Sequence, residues 1–535
     1  MIFLPLRKKL ILPQLVINRI CLTGLALFVL LLLYMVFITL SQTVTYNSDD
    51  ASIILEADDV FHGNYFLNGW YLSTESYFTT DIIFYVIAIA VYGFSDKLLF
   101  IVPSAIFSLV VIFASIIAGI NVHKSFNWRN AFVALLLLVS FSRAYEYFLR
   151  GPIHAGPMMY SLACLTILHY EDSHPKLFVG LFTPLLTLAL IGDSFVLYFL
   201  VIPLLLVQSI EFLQGEKLKL SCYATIASIF LALLLAEVLG TLGMNVLGLD
   251  SMRFVNLEKL PDNAALLFKG LSRLYNLYMF GQELKSMTTV RLLVYGLIII
   301  GVLVCVYRSL FSHERIDRVL ATACVMVCLE YVASNRPEAI WMPWVPDTAR
   351  YLVPTFVFSL IIFARNISKL LDNQRKRILL TLLLAFIVLA FGRSFVNVVP
   401  QQPPETELIA FLTSKNLATG YGGFWSSNIV TLKSNRQVCL YALKYNETER
   451  KIRPYLWLSK KEWYQQPVNF IVLDKRKPLH DGGINYQVVM DNLPPPREIY
   501  ELTVYTVLVW DKDISGEIAE QNYVDRKVAD APHKE

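Results

Sequence analysis

No lysine or arginine occurs between Arg19 and Lys97. So long a stretch without a basic residue does not read as a cytoplasmic loop, because loops kept on that side of a membrane are enriched in Lys and Arg. Charge is scarce throughout: 16% of the 535 residues are Asp, Glu, Lys or Arg, against about 25% in ordinary soluble domains. With 56% hydrophobic residues and a mean hydropathy of +0.53, a soluble globular chain is excluded. The net charge of +4 is small and sits in short loops, which argues against nucleic-acid binding. Of seven cysteines, Cys21, Cys164, Cys222, Cys305, Cys324 and Cys328 lie in or beside apolar segments. Cys439 stands alone in the polar C-terminal part, so no disulfide framework is available there. No Cys/His cluster with metal-ligand spacing occurs. No small-residue cleavage pattern follows the first apolar run, which reads as a retained anchor.

What is present is a series of apolar runs close to the length that crosses a bilayer core. The candidate spans are 20–40, 98–119, 130–142, 155–170, 177–192, 194–212, 220–245, 290–307, 318–334, 351–364 and 378–396. Taking Arg7, Lys8, Lys9 and Arg19 as cytoplasmic, the other cytoplasmic loops are 123–129, 171–176, 211–219, 308–318 and 365–377. Each holds Lys or Arg, as the positive-inside rule asks. The run 81–94 is too short to span and reads as a juxtamembrane piece, which leaves eleven spans and an outer C-terminus.

The expected architecture is a mostly α, polytopic membrane protein of about 11 transmembrane helices, with a small C-terminal α+β domain outside the membrane. Residues 1–396 form the membrane part and 397–535 the outer domain, divided at the proline-rich Val398-Val399-Pro400-Gln401-Gln402-Pro403-Pro404. In the tail, Glu405 to Leu417 reads as a helix, and 438–443, 468–473 and 502–509 read as strands.

The basic-free region 41–97 is an acidic outer loop containing Asp49, Asp50, Glu56, Asp58 and Asp59. Asn47 or Ser48 is an N-cap candidate for a following helix. On that helix Asp49, Ser52, Glu56 and Asp59 recur as a polar stripe, opposite Ile53, Ala57, Val60 and Phe61. Such a helix lies on the membrane surface with its acids toward an outer cavity. A carboxylate there can take the proton of an attacking hydroxyl or help to hold a divalent cation. A solvated amphipathic helix has the same spacing. Complementary cations fall on the same expected side: Arg143, Arg150, His154, Arg336 and Arg350. Arginine holds phosphate through a bidentate fork, so Arg143, Arg150, His154 and Arg350 are candidate lipid-phosphate ligands. Arginine beside Tyr or Trp is also a common interfacial anchor.

The order of these parts resembles the GT-C superfamily of integral-membrane glycosyltransferases, including protein O-mannosyltransferases and the aminoarabinose transferase of lipid A. Its carriers are the first span followed at once by Asp49-Asp50, where the family typically shows Asp-Glu, and the segment from Thr79-Thr80-Asp81 to Tyr92-Gly93-Phe94. The resemblance covers roughly 20–396. It implies a polyprenyl-phosphate sugar donor, inverting displacement with Asp49 as the base, and Asp50 supporting it by hydrogen bonding or by binding a cation. The acceptor would be a glycan, lipid or protein hydroxyl on the outer face of a bacterial cytoplasmic membrane. Two departures stand out: Thr79-Thr80 replaces the family's usual proline pair, and His154 stands where an acid is often found in the second outer loop. A metal is therefore not expected to be required, although a divalent cation is compatible with the acids. The rival readings are a transporter or flippase of lipid-linked sugars, for which Glu237 and Glu330 are the intramembrane acids to examine, and a glycan polymerase or ligase.

Overall fold

The computed structural model describes residues 24–519 apart from 121–125, 142–143, 216–219, 241–252, 278–285, 338–346, 371–372, 397–398, 400–402 and 478–482. Every expected span contains a helix among these residues. The first part of the chain runs through α1 (Gly24–Ser41), α2 (Ser48–Phe61), the short strand β1 (Trp70–Tyr71), a π-turn at Phe78–Ile82 and α3 (Ile83–Tyr92). Next come α4 (Leu98–Gly119), α5 (Trp128–Ser140), α6 (Tyr145–Phe148), α7 (Ala155–Leu168), α8 (Pro175–Gly192), α9 (Ile202–Leu213) and α10 (Leu220–Gly240). The membrane part closes with α11 (Leu260–Leu274), α12 (Ser286–Leu310), α13 (Arg315–Ala333), α14 (Val353–Leu370) and α15 (Gln374–Val396). Six of the described helices are long and apolar enough to cross a membrane, and shorter apolar helices accompany them. The protein is a multi-pass membrane protein, mostly helical, with a C-terminal α+β region.

The loops sort to two ends. At one end Arg315 pairs with Glu171 at 2.5 Å, Arg318 with Glu211 at 2.6 Å, and Arg365 with Asp317, while the Arg365 guanidinium also donates to the carbonyls of Ile117 and Ile120 at 2.6 Å. These residues belong to loops, and to the helix ends beside them, that the basic pattern places together. At the other end Asp50 meets Arg150 and Gly151, and Glu75 meets Ser194. Alternation of short charged loops thus reports which ends are shared, although the basic N-terminal residues lie outside the described part.

The tail folds as α16 (Glu405–Ser414), β2 (Thr419–Gly423), α17 (Phe424–Lys433), β3 (Cys439–Asn446), β4 (Lys451–Pro454), β5 (Ser459–Lys460), β6 (Phe470–Asp474), α18 (Tyr486–Asn492), β7 (Glu498–Glu501), β8 (Tyr505–Val509) and α19 (Ser515–Ala519). Its six-stranded sheet has the order β4-β3-β2-β6-β8-β7. The strands read from sequence are β3, β6 and β8. Central β2 carries no β-branched signal beyond Thr419, because Thr-Gly-Tyr-Gly-Gly is shaped by close approach: a side chain at Gly420 would run into the Phe470 ring.

Here one expectation is corrected. α2 does not lie on the membrane surface with one face in water; most of its residues are buried. The cause is the tail, since α17 packs along α2 and β1 pairs antiparallel with β5, Trp70 opposite Lys460. Ser48 Oγ accepts the Asn428 N–H at 3.1 Å, Asp58 pairs with Arg436, and Asp59 accepts from Lys460 and the Trp70 indole at 2.9 and 2.8 Å. Two of the loop's acids therefore clamp the tail onto the first loop.

The segment before α3 is tied to the end of α8. Ser76 Oγ donates to the Ile191 carbonyl, the Tyr77 N–H donates to Gly192 O at 2.8 Å, and Thr79 Oγ1 donates to Leu188 O. A hydroxyl at position 79 makes a bond that proline could not. Thr80 then lies so close to α7 that a Cβ at Gly156 would overlap its carbonyl oxygen. Gly156→Ala is expected to destabilise the protein by about 1–3 kcal/mol through this overlap. Gly180→Ala, where no atom lies within 4 Å of the new Cβ, is expected to cost nothing in thermal unfolding of the detergent-solubilised protein.

Candidate active site

The loops and the tail enclose an open cavity above the helix bundle. α2 supplies one wall with Asp49, Ser52, Ile53 and Glu56, and the loop 72–77 supplies another. Arg150 and His154 enter from the second loop, Arg336, Arg350 and Tyr351 from the segment before α14, and Trp457 and Leu458 from the tail. Three of the four candidate phosphate ligands thus share one cavity with the Asp pair. Arg143 lies outside the described residues, as do Trp341 and Trp344.

The two aspartates occupy different environments. Asn47 caps α2, its side chain accepting the Asp49 N–H at 2.9 Å, while the Asp50 carboxylate reaches back to the Asn47 N–H at 2.8 Å, a reciprocal capping box. The other Asp50 oxygen accepts the Gly151 N–H at 2.9 Å, and Arg150 Nη2 stands 3.4 Å from the first. Gly151 has to be glycine, because a Cβ there would sit 2.9 Å from the Asp50 Cα. Asp50 is 1% exposed and its acceptor capacity is committed to the first and second loops. Asp49, one residue earlier and half-buried, turns into the cavity, where its Oδ1 accepts the Trp457 indole N–H at 3.3 Å. Burial and the neighbouring Asp50 push the Asp49 carboxyl above its usual range, opposed by Arg150, the Trp457 bond and Arg350.

On the facing wall, Arg336 and Arg350 both stand over the Tyr351 ring, at 5.3 and 5.2 Å from its centroid, and each reaches the Tyr351 hydroxyl at 3.5 Å. Neither has an ion-pair partner within 4.0 Å among the described residues, and Arg350 Nε is buried with no hydrogen-bond partner among them. Two guanidinium groups stacked on one phenol leave positive charge unbalanced at short range among the described residues, an arrangement with the chemistry to hold an anion. Beside them His154 Nδ1 binds Asp193 at 2.5 Å, and Asp193 is held in turn by the Phe195 N–H at 2.9 Å. The imidazole packs between Phe195 and Tyr351, with ring centroids 5.1 and 5.2 Å away. Glu75 accepts from the Ser194 N–H and hydroxyl at 2.9 and 2.7 Å; burial and nearby Asp193 push it above the usual carboxylate range.

Two cavity residues carry left-handed backbone without being glycine: Tyr77 at φ 48° and His154 at φ 58°. Each such residue costs about 1–3 kcal/mol and persists where the surroundings over-determine it, as at ligand sites. Their rings face one another at 6.1 Å. Among the described residues no three Asp, Glu, His or Cys side chains converge as a metal cage. Of the intramembrane acids, Glu237 sits on an exposed face of α10, and Glu330 lies near the cavity end of α13, three residues before its last residue.

Asp193, Glu75, Tyr351 and Trp457 were not singled out by sequence. Tyr351 and Glu75 sit in stretches already of interest, but nothing local marks Trp457, which reaches Asp49 across 408 positions.

The division between the aspartates gives an expected stability contrast. Asp50→Ala strips the partners from two backbone N–H groups and should cost about 2–4 kcal/mol. Asp49→Asn should leave the melting temperature at pH 7 unchanged or raise it. For Asp49 the folded state binds the proton more tightly than the unfolded state, so its penalty grows as pH rises above about 4 and vanishes below it. The gain from Asp49→Asn should therefore shrink on acidification, which thermal unfolding at pH 4 and 7 would show.

No protein-family model matches the sequence, and no curated protein is similar to it. Solved structures are. The crystal structure of ArnT from Cupriavidus metallidurans bound to undecaprenyl phosphate aligns with a TM-score of 0.53 and 10% identity, covering 91% of this chain and 97% of that one. The apo state of the same ArnT aligns with a TM-score of 0.53 and 9% identity, covering 94% and 99%. At such identities the likeness is one of fold, and it runs through the membrane part and the tail alike. The chain has the fold of ArnT.

Proposed function

We propose that the protein is a glycosyltransferase that moves a sugar from a polyprenyl-phosphate donor to an acceptor hydroxyl by inverting displacement. The observation that carries this reading is the pairing, within one cavity, of a carboxylate outside the capping box, Asp49, held by the Trp457 indole alone among the described residues, and a short-range-unbalanced cation pair, Arg336 and Arg350. The ArnT fold supports the donor class, since one of its aligned forms holds undecaprenyl phosphate.

In the proposed step the acceptor oxygen attacks the anomeric carbon while Asp49 takes its proton. The carbon–oxygen bond to the lipid phosphate breaks, and its electron pair leaves with the phosphate. Negative charge grows on the leaving oxygens, and Arg350, Arg336 and His154 stand on the wall where it would develop. Arg150 acts one step removed, beside Asp50 and the Gly151 turn, and its positive charge also bears on Asp49. A base pushed upward by burial works closer to neutral pH than a free aspartate does. No divalent cation is needed in this scheme, because the arginines carry out the charge neutralisation.

The cavity and the tail belong on the outer face of a bacterial cytoplasmic membrane in this reading. Its support is the basic loops, which gather at the opposite end, as the positive-inside rule asks of the cytoplasmic side.

The test is consumption of an undecaprenyl-phosphate sugar by the purified protein. Asp49→Asn should lower kcat by a factor of about 10²–10⁴, with KM for the donor changed little. Arg350→Ala should raise KM and lower kcat together, and EDTA should leave turnover unchanged. Full turnover in Asp49→Asn would remove the base assignment.

A further inference from the structure

Glu56 is an acid of the α2 wall to which the proposed reaction gives no role. It stands seven residues beyond Asp49, so the two carboxyl groups share a helix face about 10 Å apart along the axis. Glu56 lines the same cavity, is 3% exposed, and its Oε1 is fully enclosed with no hydrogen-bond partner among the described residues. No cation pairs with it within 4.0 Å among those residues, unlike Asp58 and Asp59 on the next turn. An enclosed carboxyl oxygen without a partner is costly to fold. A leucine would remove much of that cost, so the sequence keeps a destabilising group that a ligand can complete.

We propose that Glu56 forms the far end of a sugar subsite and binds hydroxyl groups of the transferred sugar ring, while Asp49 and Arg350 hold the reacting end. This rests on the polyprenyl-phosphate reading above. Three features of the site favour hydroxyls as its ligand. No metal cage assembles there among the described residues. Ser52, between the two acids on the same wall, donates its hydroxyl to the Asp49 carbonyl at 2.8 Å and keeps acceptor capacity for a ligand hydroxyl. Burial holds the Glu56 carboxyl well above its ordinary range, which favours the protonated form, able to donate one hydrogen bond and accept others, as a sugar hydroxyl requires. A buried group of this kind discriminates strongly, because a sugar lacking the matching hydroxyl leaves it unpaired again.

The experiment compares wild type, Glu56→Gln and Glu56→Leu in detergent, reading both melting temperature and affinity. The probes are undecaprenyl phosphate alone and undecaprenyl phosphate carrying glucose, mannose, galactose, arabinose or N-acetylglucosamine. Both variants should melt at or above the wild-type temperature at pH 7. For the best-bound sugar, affinity should fall about tenfold in Glu56→Leu, whereas undecaprenyl phosphate alone should lose less than twofold. A fall in melting temperature in both variants would assign Glu56 a structural role and overturn the proposal. So would an undiminished sugar increment in Glu56→Leu, or a wild type for which no sugar improves on undecaprenyl phosphate. If wild type fails to bind undecaprenyl phosphate at all, the donor class itself is wrong. Binding of the lipid phosphate without any sugar increment leaves the donor phosphate site standing and removes only the Glu56 subsite.

Discussion

The carboxylate of Asp50 ties the cavity together. It closes the N-terminus of α2 by returning to the Asn47 N–H, and with its other oxygen it takes the Gly151 N–H of the second loop. Helix starts leave backbone donors unsatisfied, and a buried one must find an acceptor. Spending Asp50 in this way fixes the helix register, and the register turns Asp49 and Glu56 into the cavity. It also brings Arg150 and the turn leading to His154 up against α2. Two neighbouring acids could not both perform this role, so one becomes structural and its neighbour is left available for chemistry.

Around that junction the enclosure is assembled from parts far apart in sequence. Asp58 and Asp59 hold the tail through Arg436 and Lys460, and that docking delivers Trp457 to Asp49. The serine and threonine hydroxyls of the 76–80 segment fasten the loop to the end of α8, which sets Glu75 and Tyr77 opposite His154. The outcome is polarity across the cavity: acids on the α2 wall and guanidinium groups on the wall before α14. Both walls line one cavity between the helix bundle and the tail. Burying acids whose carboxyls are pushed upward is a stability cost concentrated at this site.

Much of this could be read from the sequence because bilayer physics writes long signals. The apolar runs from 98–119 to 378–396 each yield a helix, and the short basic loops report which ends belong together. The absence of Lys and Arg up to Lys97 marked the loop that carries Asp49 and Asp50. The acids of α2 are visible too, and the resemblance separates Asp49 from Asp50, yet the contacts that enforce a division among them are not. That division depends on partners such as Gly151, Arg436 and Trp457, which lie 101 to 408 positions away from the acids they meet. The expectation of a water-facing α2 failed for the same reason, since nothing in 48–61 announces that α17 will cover it. Strand β2 escaped because Gly420 answers to the Phe470 ring instead of to strand propensity. His154, by contrast, stood out as a replacement, but its partner Asp193 lay across a loop whose pairing only the fold reveals.

The central claim is that one cavity holds the donor phosphate against Arg350 and Arg336 while Asp49 faces the carbon to which that phosphate is attached. A structure of the protein in lipid nanodiscs with undecaprenyl phosphate tests it most directly. The account predicts phosphate density within hydrogen-bond distance of the Arg350 and Arg336 guanidinium groups, beside His154, with the polyprenyl chain leaving toward the membrane and open space between phosphate and Asp49. Phosphate density elsewhere, for example at the opposite end near Arg308 and His313, with the Arg350 cavity empty, would contradict it.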